Sequence, residues 1–165
     1  MEIRIEPALF DQRPVFAQLA NLYNYDFSEY EHNDVDECGY FYGYYSDNLW
    51  AGDKRHHFFV RVNGKLAGFV IVKDGGFRYI NDENACHICE FFIMKKYRRN
   101  GVGSIVAKTI FDMYKRNWEV CQMQNNIPAR KFWKSVISDY TKNNYQECGT
   151  EKDDMVGFIF DNAHQ

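Results

Sequence analysis

The chain has 165 residues, a formal net charge of −3 and an aromatic content of 18%. That length suits one domain with a real core, and so many aromatic side chains argue against disorder. The charge gives no case for nucleic-acid binding, no apolar run is long enough to span a membrane, and five scattered cysteines without a framework pattern fit reduced thiols in a cytoplasm.

Met1-Glu2-Ile3-Arg4-Ile5-Glu6 alternates charged and aliphatic residues, unlike a signal peptide, and Glu2 to Pro7 reads as a half-buried first strand. Asp11 or Gln12 is placed to cap a helix with Pro14 in its first turn. Its buried side is expected at Val15, Phe16, Leu19, Ala20, Leu22 and Tyr23. Residues 26–37 hold Asp26, Glu29, Glu31, Asp34, Asp36 and Glu37. They read as a solvated loop or helix face, or as a negative rim that draws in a cationic amine. Residues 38–50, rich in Tyr and Phe and ending at Trp50, read as core or pocket wall.

His56 to Val62, Asn63-Gly64 and Lys65 to Lys73 form a hairpin signal, because Asn-Gly suits both left-handed positions of a type I′ turn. His56 and His57 would face opposite ways on that strand and cannot both hold one metal. Gly75-Gly76 marks a turn, and 77–85 is a polar loop. Cys86 to Met94 is apolar enough for a buried strand, with Glu90 its only formal charge. Cys86 and Cys89 are three apart, so on a strand they point to opposite faces; two core thiols fit better than a zinc site or a disulfide.

The basic stretch Lys95 to Gly103 follows, and from Ser104 the period becomes helical. Ile105, Val106, Ile110, Phe111, Met113 and Tyr114 fall on one side, with Lys108, Asp112 and Lys115 on the other. Glycines let backbone approach a ligand, the first helical N–H groups are free, and dipole and arginines make the place positive. A phosphate or pyrophosphate site is the expected result. Trp118 to Met123 reads as a strand. Asn125-Asn126-Ile127-Pro128 opens a helix with apolar face Ala129, Phe132, Trp133, Val136 and Ile137. Tyr145 to Cys148 and Met155 to Phe160 read as closing strands around the acidic turn Glu151 to Asp154. No repeat or linker divides residues 1–165, so one domain is expected.

The glycine loop is not a Walker loop, since no Gly-Lys-Ser/Thr follows, nor a dinucleotide fingerprint, since Val106 holds the third glycine's place. Arg98-Arg99-Asn100-Gly101-Val102-Gly103 instead resembles the Arg/Gln-x-x-Gly-x-Gly/Ala loop of the GNAT superfamily of N-acetyltransferases. Asn126-x-x-Ala129-x-x-Phe132-Trp133 is similar to that family's Asn-x-x-Ala-x-x-Phe-Tyr segment, at the expected distance downstream. The likeness covers residues 56–137 well and the two ends by element order.

The resemblance implies an α/β fold of the α+β kind, with a mixed, mostly antiparallel twisted sheet of six to seven strands and helices on both faces. Its central parallel strands would splay to admit acetyl-coenzyme A, with no metal required. Backbone groups of Phe92, Ile93 and Met94 would bond the pantetheine arm, and a backbone N–H near Ile93 or Met94 would serve the oxyanion. The amides of Arg99, Asn100, Gly101, Val102, Gly103 and Ser104 would hold the pyrophosphate, with charge from Arg98 or Arg99. Asn126, Ala129, Phe132 and Trp133 would line its thiol end. Glu90 is the candidate general base, burial raising its pKa; a Glu paired with a cation at a strand kink is the plainer reading, and His87, His56 or His57 are alternatives. Trp133 stands where the family often has a Tyr acid, which leaves Tyr140, Tyr145 or solvent for that role. The implied function is acetyl transfer to a primary amine, on a small molecule or a peptide, by direct attack. A non-catalytic acyl-coenzyme A sensor is the alternative, and a phosphate-loop nucleotide hydrolase a third reading. Edge strands in this family often pair into homodimers.

Overall fold

The computed structural model describes residues 1–41, 50 and 54–164. Strand β1 (Ile3–Pro7) and helix α1 (Arg13–Glu31) precede β2 (Arg55–Val62), β3 (Lys65–Asp74) and β4 (Cys86–Ile93). Then come α2 (Val102–Met113), β5 (Asn117–Met123), α3 (Ile127–Thr141), β6 (Gln146–Cys148) and β7 (Met155–Asp161). All seven strands form one sheet in the order β1-β2-β3-β4-β5-β7-β6, and only β4 and β5 run parallel. This is the expected mixed, mostly antiparallel sheet. Asn63 and Gly64 take φ of 49° and 76°, as the tight β2–β3 turn requires.

Helix α1 departs from expectation at its start. Gln12 occupies its N-cap position without capping it; its side chain instead accepts the Leu9 amide at 2.9 Å. The helix runs on to Glu31, so Asp26, Glu29 and Glu31 are helical. Phe16, Leu19, Ala20 and Tyr23 are buried, while Val15 and Leu22 are exposed. The reason is angular: each lies about 100° from the middle of the stripe that 16, 19, 20 and 23 define. On α2 the buried residues are Val102, Val106, Ala107, Ile110 and Phe111; Ile105 is exposed because it faces away from them, and Met113 because it is the helix's last residue.

Helix α1 covers one face of the sheet, packing on Phe59, Phe69, Ile71 and Phe92. Helices α2 and α3 cover the other, where Val106, Ile110, Phe111, Trp133, Val136 and Ile137 join Trp118, Val120 and Phe158. Residues 42–49 of the aromatic segment lie outside the described residues; Trp50 stacks on His57 at 4.1 Å between ring centroids and meets Phe16 edge-on. His57 is buried on that face, whereas His56 reaches Asp74 and the Tyr114 ring. The adjacent histidines do face apart.

Two irregularities position the site. Between β3 and β4 the register jumps from Ile71↔Glu90 to Val72↔Ile88, so Cys89 is an extra residue on β4. Its side chain packs on the α1 side and that of Cys86 on the α2–α3 side. Between β4 and β5, pairing is confined to Cys86↔Trp118 and His87↔Glu119. Beyond those two rungs the parallel strands part. No helix among the described residues is long and apolar enough to cross a membrane.

Candidate functional site

The parted strands open a cleft of about 490 Å³, reached by Tyr23 and Phe27 of α1, Cys89, Glu90 and Phe91 of β4, Gln122 of β5, and Asn126, Ala129 and Trp133 at the head of α3. A larger, shallow depression of about 610 Å³ lies at the far edge of the sheet, between β6–β7 and the 79–81 turn. It collects no titratable group beyond Asp161 and two tyrosines.

In the loop that leads from β4 into α2, Arg99 and Gly101 adopt φ of 62° and 76°. A left-handed Gly101 turns the chain into α2. The amides of Arg99 to Ser104 find no acceptor among the described residues; Ile105, bonded to the Gly101 carbonyl at 3.1 Å, is the first to do so. Six successive free donors at a helix N-terminus form an anion cradle. Gly103 has a different reason to be glycine: a Cβ there would lie 3.1 Å from the Phe132 ring, so α2 and α3 meet on its backbone. Val102 is buried in the core, and Asn100 is exposed.

Arg98 and Arg99 divide the work expected of either. Arg98 is tied down, its Nε donating to the Ile93 carbonyl at 2.5 Å and its guanidinium paired with Asp26, which Lys95 also reaches at 3.1 Å. Among the described residues Arg99 makes no ion pair. The backbone of β4 also needs correcting. The Met94 amide donates to the Ala67 carbonyl at 2.8 Å, so it is not available to a ligand. Antiparallel alternation then turns the Phe92 groups toward β3 as well, and those of Phe91 and Ile93 toward the gap. Of the predicted trio, the Ile93 N–H is the one aimed at the cleft.

Glu90 is 8% exposed and lies on the floor of the cleft. Burial raises its pKa to about 7, against a hydrogen bond from the Tyr23 hydroxyl at 2.6 Å that favours the charged form. One partner is therefore a phenol from α1, and the charge of Arg55 also favours the carboxylate. Tyr23→Phe should move the acidic limb of any Glu90-dependent pH–rate profile upward from about 7, because the bond that stabilises the carboxylate is lost; titrating the two enzymes side by side checks the sign. Sequence periodicity identified Tyr23 only as a core residue, and nothing local signals its reach to a strand 67 residues away.

His87 is buried beside this floor, with its pKa lowered by burial. Its Nδ1 lies 2.9 Å from the Gly75 carbonyl, which can only accept, so Nε2 presents its lone pair to the Cys89 thiol at 3.2 Å. His57 is held at about 4 by burial and stacked beneath Trp50. Trp133 meets Phe91 and Phe132 edge-on at 4.9 Å each, walling the cleft. Neither alternative acid is there: the Tyr140 hydroxyl bonds Asp112 and Asn162 at the far end of α3, and Tyr145 packs on Phe158. Asn126 caps α3, accepting the Ala129 amide at 3.0 Å. Of the acidic run, Glu31 lines the cleft, alongside Arg55 and Lys73.

One anchor went unrecognised in the sequence. Glu119, fully buried on β5, accepts the amides of Phe77, Arg78, Tyr79 and Ile80 at 2.7–3.1 Å and the Cys121 thiol at 3.2 Å. It thereby folds the 77–80 turn against the cleft, where Gly76 and Phe77 form part of the wall.

The family model described as "Acetyltransferase (GNAT) family" matches residues 16–136. No protein of curated function matches the chain in sequence. Among solved structures, an acetyltransferase from Thermus thermophilus superposes with a TM-score of 0.68 at 12% identity, over 98% of this chain and 97% of that one. The ribosomal-protein-S18-alanine N-acetyltransferase of Escherichia coli gives 0.62 at 12%, over 99% and 96%. A spermidine N-acetyltransferase from Vibrio cholerae, in complex with CoA and spermine, gives 0.65 at 11%, over 98% and 96%. At such identities the superpositions speak for the fold.

Proposed function

This chain belongs to the GNAT family of acetyltransferases, and from that premise we propose that it transfers the acetyl group of acetyl-coenzyme A to a primary amine that attacks directly. One observation carries most of the weight: the sheet parts after two rungs, and a buried carboxylate with a pKa near neutrality sits on the floor of the gap. The head of α2 with its free amides lies beside this gap, as Gly103 is next to Phe91, which lines the cleft, and to Phe132 behind it.

Acetyl-coenzyme A would supply an activated thioester, with a diphosphate and an amide-bearing arm by which to hold it. The residues present fit such a group. Six amides from Arg99 to Ser104, with the charge of Arg99, suit a diphosphate; hydrogen bonds to a charged partner contribute about 1.5–3 kcal/mol each, enough together for micromolar affinity. The open edge of β4 at Phe91 and Ile93 offers backbone groups to an extended arm, with the Ile93 N–H as the oxyanion donor. Glu90 takes the proton from the amine, at a pKa suited to both receiving and releasing it near pH 7. Tyr23 fixes the carboxylate. Trp133 excludes water from one wall, and its indole is too weak an acid to replace the family's tyrosine.

The acceptor end carries both signs, with Glu31 and Glu90 against Arg55 and Lys73. The assay panel therefore spans polyamines, aminoglycosides, amino acids and peptides. Calorimetry with acetyl-coenzyme A should give micromolar binding, and thiol release should follow on addition of the right amine. Binding with no turnover on any class would favour the sensor reading that Trp133 supports; heat-shift stabilisation by ATP and not by coenzyme A would sink both.

A further inference from the structure

Gln122 of β5 is 6% exposed, and neither its Nε2 nor its Oε1 has a hydrogen-bond partner among the described residues. A buried side-chain amide left wholly unmatched is rare enough to need a reason. The surroundings offer it nothing. Strand β5 pairs with β7 without a register shift, so Gln122 shares the face of Trp118 and Val120, beneath α3. Its companions in the cleft on that side are Phe91, Ala129 and Trp133, while the Asn126 side-chain oxygen is already engaged by the Ala129 amide and its backbone carbonyl by Arg130.

The level of Gln122 in the sheet is informative. The last β4–β5 rung is His87↔Glu119, and three residues further along lie Glu90 on one strand and Gln122 on the other. Because Cys89 is an extra residue on β4, Glu90 stands two rungs beyond that pair and Gln122 three, so the two flank the open gap one rung apart, with Glu90 turned to the α1 side and Gln122 to the α3 side. A carboxamide has one strong acceptor and two donors. Its natural partner is a chain that offers amide carbonyls and amide N–H groups together; an ammonium or a carboxylate would answer only half of it.

Building on the acetyl-coenzyme A reading, we propose that Gln122 holds the amide-bearing arm of coenzyme A from the β5 side, Nε2 donating to an arm carbonyl and Oε1 accepting an arm N–H. Gln122 is thus a positioning residue. It sets the arm one rung beyond Glu90 while β4 engages it by backbone alone.

Gln122→Met keeps the length and removes both polar groups. Calorimetry would compare the variant and the parent with coenzyme A and with 3′-phosphoadenosine 5′-diphosphate, which has the nucleotide end and no arm. Loss of one or two hydrogen bonds should weaken coenzyme A by about tenfold and leave the nucleotide unchanged. The ligand-free variant should melt no lower than the parent, and by up to a few degrees higher, because an unmatched buried amide has been removed. Equal coenzyme A affinity in both proteins would overturn the proposal, as would an equal loss for the nucleotide, or a lower melting point of the ligand-free variant, which would mark Gln122 as structural. Unchanged coenzyme A affinity with a raised acceptor KM would place Gln122 on the acceptor instead. A parent protein that binds neither ligand overturns the cofactor reading itself, and this proposal with it.

Discussion

Glu90→Gln is expected to lower kcat/KM by about 10²–10³-fold at pH 7, with coenzyme A affinity close to that of the parent. The size follows from what a positioned general base contributes, about 10²–10⁴-fold. The substitution keeps the side chain's shape and its acceptor for the Tyr23 hydroxyl, now 2.6 Å away, so geometry survives while basicity is lost. In the parent, activity should rise through about pH 7 as the carboxylate ionises. In the variant that limb should vanish. Folding raises this group's pKa, so relative to acidic pH the native state loses stability as pH rises toward and through 7, where the carboxylate must charge in a dry site. The glutamine variant escapes that penalty and should melt no lower than the parent at pH 8, which separates lost chemistry from lost structure. An unaltered pH–rate profile would remove Glu90 as base and pass the role to His87, whose Nε2 lone pair lies in the same cleft beside the Cys89 thiol.

Glu119→Gln should cost stability heavily. In the parent, Oε1 accepts from Arg78 and Tyr79 and Oε2 from Phe77 and Ile80, so both oxygens are fully committed. A carboxamide must aim an NH₂ group at two amide donors, whichever way it is turned. With several buried groups left unpaired at about 1–3 kcal/mol each, a loss of about 3–5 kcal/mol is expected, or roughly 6–20 °C in Tm for a chain of this length. The pH dependence has the opposite sense to that of Glu90. Burial alone would raise the Glu119 pKa, but the amides and the Cys121 thiol overcome this and hold it below the ordinary 4.5. Its stabilisation is therefore present above about pH 4.5 and is lost as pH falls through the lowered value. Urea melts of parent and variant at pH 7 should differ widely, and the difference should narrow in acid. A gap that persists at the lowest pH would assign the loss to packing. Because the 77–80 turn forms part of the cleft wall, the acceptor KM should rise with the loss of order even where the protein stays folded.

Much of the architecture was legible because local chemistry and tertiary packing agree. Asn63-Gly64 has to turn, Pro14 and Asn126 mark helix starts, and the amides ahead of Ile105 follow from a glycine loop entering a helix. The failures share a cause. Hydrophobic identity placed Val15 and Leu22 on the buried side of α1 and Ile105 and Met113 on the apolar side of α2, but Val15, Leu22 and Ile105 face away from the surface their helices meet, and Met113 ends its helix. Partners distant in sequence were invisible: Tyr23 to Glu90, Glu119 to the 77–80 turn, Asp26 to Arg98. The bulge at Cys89 is likewise a property of pairing, and no feature of β4 alone declares it. The Met94 amide was misassigned because which N–H groups of a strand face its neighbour depends on register, which composition does not encode.

The bonds around Arg98 bear on how strongly the loop can hold what enters it. Arg98 joins the end of β4 to Asp26 on α1, Gly101 and Arg99 already stand in the left-handed region, and Phe132 braces Gly103 from behind. The curvature of the six-amide cradle is thus imposed by the chain's own contacts. Backbone freedom has been surrendered during folding and need not be surrendered again on association, where each newly fixed residue would cost about 1–2 kcal/mol. A pre-shaped hollow of this kind converts more of its gross attraction into net affinity and captures its anion without waiting for a loop to rearrange.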